Sequence, residues 1–236
     1  MAESGKKLQV LALNPIAQVG LDRLPAGRFA VVKDSKSPDV ILVHPSSPLR
    51  SIADLIAMAK ASKQKLNVIN PGQGSTPHLT AELLQIKAGI PIENIPYNGA
   101  GPAIQAILAQ TTPVGTTALP PAHPHIKSGA LRALAVTGEK RWFDLPDVPT
   151  MVEQGFPDIV SETFQGMYAP AGVPDEIVQR VARETLAVLK EPEVADKLRA
   201  VGFDVRAAGP KGLAARVARE VPMWRDIIKQ SKIELQ

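Results

Sequence analysis

A chain of 236 residues with 44% hydrophobic and 21% charged residues is ordinary globular material, long enough for one large domain or two small ones with real cores. The net charge of +4 is mild and no Lys/Arg block or basic-aromatic stripe occurs, so nucleic acid is not an expected partner. Cysteine is absent, which removes disulfides, thiolate catalysis and Cys-based metal sites together, and no apolar run approaches the ~20 residues that cross a bilayer.

The opening Met1–Lys7 is charged, but the Leu8–Leu13 stretch behind it is short and broken by Asn14-Pro15, so no export address is expected there. Leu8–Leu13 and Phe29–Lys33 read as short strands, and Asp39–His44 as a third, ended by Pro45 and Pro48. Ser51–Lys63 places Ile52, Leu55, Ile56 and Ala59 on one helical face, with Ser51 as N-cap and Asp54 at the third helical position.

The next two units repeat one design. Leu66–Asn70 runs through Pro71-Gly72-Gln73-Gly74-Ser75-Thr76-Pro77 into a helix over His78–Ala88. Glu93–Pro96 runs through Tyr97-Asn98-Gly99-Ala100-Gly101-Pro102 into a helix over Ala103–Gln110. In each, a proline stands where the helix starts and its missing N–H does no harm. Two consecutive strand-loop-helix units predict a parallel α/β sheet, continued by Val114–Thr117, the segment Leu119–Ser128 and the strand Leu131–Thr137. Ser161–Ala169 reads as an extended crossing segment. Helices follow over Pro174–Lys190, Pro192–Ala200 and Pro210–Lys229, with Gly202 as a C-terminal cap and a strand at Phe203–Val205.

The two Gly-rich loops carry the chemistry. A helix N-terminus presents unpaired N–H groups and roughly half a positive charge, so it holds a carboxylate without a basic side chain. Ser75 and Thr76 add hydroxyls to the first loop and Asn98 an amide to the second, and both loops leave the carboxyl ends of strands, where open α/β sheets bind ligands. They are placed to grip two acidic groups of one small molecule. The alternative is that Gly, Ser and Pro only build tight turns and cap helices. Neither loop is a phosphate-binding or dinucleotide-binding fingerprint. His78 either touches a ligand or packs, while His123 and His125 read as surface or capping residues and not as a metal site. Trp142 and Trp224 read as packing residues, and no nucleophile-base arrangement for catalysis is found.

The ordered motifs His44-Pro45-Ser46, Ser51-Ile52-Ala53-Asp54-Leu55, Gly74-Ser75-Thr76-Pro77-His78-Leu79 and Pro96-Tyr97-Asn98-Gly99-Ala100 resemble the Bug-type solute-binding receptors of tripartite tricarboxylate transporters. Pro124–Gly129, Leu131–Thr137, Leu145–Thr150 and Ala169–Pro174 continue the match over about residues 40–236. The resemblance implies a type II periplasmic-binding-protein-like α/β fold, two α/β lobes with hinge-crossing strands. It also implies a small carboxylate ligand, membrane transporter subunits as partners and a periplasmic location, with a cytoplasmic one left open by the lack of an export signal in the chain. No enzymatic role, cofactor or metal is expected. The implied ligand-binding residues are Gly74, Ser75, Thr76, Pro77, His78, Tyr97, Asn98, Gly99 and Ala100, with Thr117 in a weaker match.

On this reading residues 1–43 are an atypical N-terminal segment giving strands to lobe 1, which is expected to be incomplete. Residues 44–158 are lobe 2, which binds the ligand, and 159–236 are the crossover and the C-terminal helices of lobe 1. Leu8–Val43, with Ala12-Leu13-Asn14-Pro15, resembles instead the opening of a hydroxyacid dehydrogenase. That leaves two rivals, a dehydrogenase-like fusion without catalytic activity and a truncated derivative with no transport role.

Overall fold

The computed structural model describes residues 8–11, 29–32, 37–162, 166–169, 172–200, 202–205 and 207–233. The motif Ala12-Leu13-Asn14-Pro15 and residues 163–165 of the expected crossing segment lie outside them. The chain divides into two compact units, one of residues 1–36 with 164–219 and the other of 37–163 with 220–236.

In the first unit β1 (Leu8–Leu11) pairs in parallel with β2 (Phe29–Val32). The same unit holds α5 (Asp175–Leu189), α6 (Pro192–Ala200) and the first part of α7 (Gly209–Gln230). Phe203–Val205, expected as a strand, is not one. The Phe203 N–H closes the end of α6 on the Leu198 carbonyl and Gly202 takes φ 88°, so the segment serves as a helix cap and not as a ladder.

The second unit is built on a five-stranded sheet in the order β5-β4-β6-β3-β7. Its strands are β3 (Asp39–Val43), β4 (Leu66–Asn70), β5 (Ile92–Pro96), β6 (Val114–Ala118) and β7 (Arg132–Val136). The parallel arrangement expected of the strand-loop-helix units is present, and one strand outside those units runs against it. β5, β4 and β6 are parallel, but β3 runs antiparallel to both β6 and β7. Strand-loop-helix units set the direction of β4 through β6. β3 does not pair with the strand that follows it, so no crossover helix sets its direction.

β3 is buried along its whole length, as a central strand covered on both faces must be. Its residues alternate between two cores. Ile41 and Val43 join Ile52 and Leu55 of α1 (Ile52–Ala61), Ala81 and Leu84 of α2 (Thr76–Ala88), and Ile227 of α7. Val40 and Leu42 join Ile104 and Ile107 of α3 (Ala100–Leu108) and Leu119 and Ala122 of α4 (Leu119–Lys127). Trp142 is buried in this second core and Trp224 packs against the first. The expected cap of α1 is present as a full capping box, Ser51 accepting from Asp54 N–H while Asp54 accepts from Ser51 N–H.

The segment after β6 is the helix α4, in which Pro120 and Pro121 occupy the first turn, where no N–H bond is needed, and Pro124 is tolerated inside. His123 is buried and not on the surface, its Nε2 lying 2.9 and 3.0 Å from the two carboxylate oxygens of Asp144.

Candidate functional site

One edge of the second unit's sheet collects the carboxyl ends of β4, β5, β6 and β7 and, because β3 is reversed, the amino end of β3. The two Gly-rich loops leave this edge from neighbouring strands. They are stitched together by the main chain, Tyr97 N–H donating to Asn70 O at 2.8 Å and Gly99 N–H to Pro71 O at 2.8 Å. The expected pair of loops is therefore one continuous surface.

Both helices begin earlier than expected, α2 at Thr76 and α3 at Ala100. The prolines sit at the second and third helical positions, which are as free of N–H obligations as the first. Ser75 caps α2: its hydroxyl accepts from His78 N–H and donates to Gly72 O at 2.6 Å. α3 starts without any side-chain cap at Gly99, whose φ of 102° and ψ of 171° belong to glycine. Among the described residues no hydrogen bond reaches the N–H groups of Thr76, Ala100 and Gly101 or the Thr76 hydroxyl. Thr76 and Ala100 are half-buried, whereas Asn98 and Gly101 are exposed. The free donors of two helix starts thus sit on loops joined by main-chain hydrogen bonds, and such donors are of the chemistry that suits an anion.

His78 points inward. It is 6% exposed, and its Nδ1 accepts the Gly74 N–H at 2.9 Å while Nε2 lies 3.7 Å from Glu82 Oε1, one turn along α2. Glu82 in turn accepts from Asn94 Nδ2 at 2.7 Å and from Gln85 Nε2 at 3.1 Å. Asn94 Oδ1 accepts from Asn70 Nδ2 at 3.2 Å, and Asn70 Oδ1 accepts the Gly72 N–H at 3.1 Å. A polar chain therefore leaves the loop at Gly72 and returns to it at Gly74. Burial pushes the Glu82 carboxyl up, but the His78 ring, the Ser231 hydroxyl and the Asn94 amide together outweigh it and hold the carboxyl below its ordinary range.

Thr117, at the carboxyl end of β6, is fully buried and its hydroxyl has no hydrogen-bond partner among the described residues. Beside it Thr116 faces the other way, donating to Pro77 O at 3.0 Å. A third polar feature of this edge was not anticipated. The Asp39 carboxylate accepts from Thr80 Oγ1 at 2.8 Å and from Ser161 Oγ at 3.2 Å, and Thr137 bonds the Asp39 main chain at both N–H and C=O. Asp39 and Ser161 lie far apart in sequence, so no local pattern links them. Glu82, four residues beyond His78, shares its helix face, a signal that helical spacing does carry. No group of three or more His, Asp or Glu close enough to hold a metal ion occurs among the described residues.

Beyond this geometry, a sequence profile described as the tripartite tricarboxylate transporter family receptor matches residues 29–233. The chain belongs to that receptor family. As a family member it is 31% identical over 229 residues to the protein BugT of Bordetella pertussis, covering 94% of this chain and 70% of BugT. The structure of an R. palustris protein with adipate matches this receptor with a TM-score of 0.76 and 31% identity, over 84% of this chain and 67% of that one. The periplasmic binding protein BugD matches it with a TM-score of 0.74 and 30% identity, over 86% of this chain and 68% of BugD. The receptor thus spans about two thirds of the length of these relatives and shares their type II periplasmic-binding-protein-like α/β fold. No helix among the described residues is long and apolar enough to cross a membrane.

Proposed function

We propose that this chain binds a small carboxylate and presents it to the membrane subunits of a tripartite transporter, working in the periplasm as a receptor that does not convert its ligand. The observation that carries the reading is the row of free N–H donors at Thr76, Ala100 and Gly101, on two loops held in register by Tyr97-to-Asn70 and Gly99-to-Pro71 hydrogen bonds. A carboxylate seated there accepts main-chain N–H bonds at two helix starts, charge-assisted bonds roughly twice as strong as neutral ones. The Thr76 hydroxyl adds a donor from the side. Asn98 supplies an exposed amide at the rim, and Thr117 a buried hydroxyl at the carboxyl end of β6. Adipate, held by one structural relative, is a dicarboxylate of the chemistry such a seat accepts.

Isothermal titration calorimetry of the folded chain with adipate, malate and citrate tests the reading, and at least one should bind saturably. Replacing Ser75 and Thr76 together with alanine removes the cap and the adjacent hydroxyl, and should weaken that binding by about ten-fold or more, the order of two lost hydrogen bonds. A folded protein that takes up none of the three acids would end the proposal.

A further inference from the structure

A cleft of about 470 Å³ beside α2 is lined among others by Gln73, His78, Glu82, Asn94 and Lys232. Its polar lining is continuous with the chain that ties Gly72 to Gly74. The loop between them turns on two glycines, with φ of 153° at Gly72 and 73° at Gly74. Besides the Ser75 hydroxyl on Gly72 O, two side chains accept its N–H groups. Asn70 Oδ1 fixes the Gly72 N–H and His78 Nδ1 fixes the Gly74 N–H. Asn70 has no ionisable state, but His78 does.

Nδ1 accepts a main-chain N–H only while its lone pair is free, which puts the proton of the neutral ring on Nε2, the nitrogen that faces Glu82. Protonation of the ring turns the Gly74 contact into two N–H groups facing each other. It also converts the 3.7 Å approach to Glu82 into an attraction between full charges. Both changes draw the ring toward Glu82 and away from the loop. The other charged groups lining this cleft are Lys65 and Glu93, already paired with each other at 2.7 Å, and Lys232.

We propose that His78 is a positioning residue that holds the Gly72–Thr76 loop in its binding shape only while its Nδ1 is unprotonated, so that protonation of the ring loosens the anion seat without altering the groups that touch the ligand. The proposal rests on the receptor reading for its consequence, but its structural half stands on the unliganded protein. It predicts that His78 does its work from behind the loop.

The experiment has two arms. In the unliganded wild type, 15N NMR should show His78 as the Nε2–H tautomer at about pH 7.5, and the Gly74 amide shift should titrate in step with the His78 ring. In the second arm adipate affinity is measured at about pH 7.5 and about pH 5.5 for wild type, His78→Asn and His78→Gln. Asparagine carries an oxygen where Nδ1 stands and does not titrate, so its affinity relative to wild type should rise about three- to ten-fold from the higher to the lower pH, the order of one hydrogen bond. Glutamine places its amide where Nε2 stands and should be weak at both. Because ligand protonation is common to all three proteins, their ratios isolate the ring. A Gly74 amide that ignores the His78 titration, or an asparagine variant whose pH dependence parallels wild type, would overturn the proposal. If wild type binds no adipate at either pH, the receptor reading fails, and the tautomer and the Gly74 titration decide the His78 role alone.

Discussion

Gly99 is the residue on which the second loop turns. A Cβ added there meets nothing within 4 Å, so its replacement is governed by backbone alone. At φ 102° and ψ 171° an L side chain is strained, and asparagine, which tolerates the left-handed helical region, gains nothing at that ψ. Gly99→Ala should therefore lower stability by about 1–3 kcal/mol in urea titrations, with the loss arising wholly from conformation. Glu82 gives a pH test of the network behind the first loop. Its folded carboxyl titrates below its ordinary value of 4.5 because the fold prefers the ionised form. Its contribution is thus complete above pH 4.5 and fades as pH falls through the lower folded value. Comparing wild type with Glu82→Gln in urea between about pH 6 and about pH 3, the advantage of wild type should shrink in the acid half of that range. An advantage constant across the range would refute the role given to this carboxyl.

At the scale of elements, close approach between α3 and β6 depends on Gly115. A Cβ there would collide with the fully buried side chain of Ile107. Gly115→Ala should cost about 1–3 kcal/mol through overpacking, seen as a lowered denaturation midpoint, and Gly115→Ala with Ile107→Val should recover part of it. The elements were largely legible in sequence because the apolar spacing of Ile52, Leu55 and Ala59 and the Ser51–Asp54 box are local signals. The direction of β3 was not, since it is decided by pairing with β6 and β7, which lie roughly seventy to a hundred residues further on. The same division holds for the candidate site. Gly74, Ser75, Thr76 and Gly99 announce a turn into a helix by their own chemistry. The Asp39–Ser161 bond and the path from Asn70 through Asn94 to Glu82 exist only once strands are side by side.

At the scale of the whole molecule, the second unit is made of two separated stretches, and the later one completes a core begun by the earlier. Ile227 is buried among Ile41, Leu55 and Leu84, with Met223 and Trp224 packed at the margin. Ile227→Ala should cost about 2–5 kcal/mol, the usual range for emptying such a site, measured by urea denaturation. An effect below about 1 kcal/mol would show that the helix contributes little to that core. While the chain is being synthesised, the face that will receive Ile227 is already made, yet residues 164–219 must be added before its cover appears. At translation speeds of about 5–20 residues per second, that leaves an apolar surface open for roughly 3–11 seconds. During that interval the finished domain's own packing does not yet shield that face.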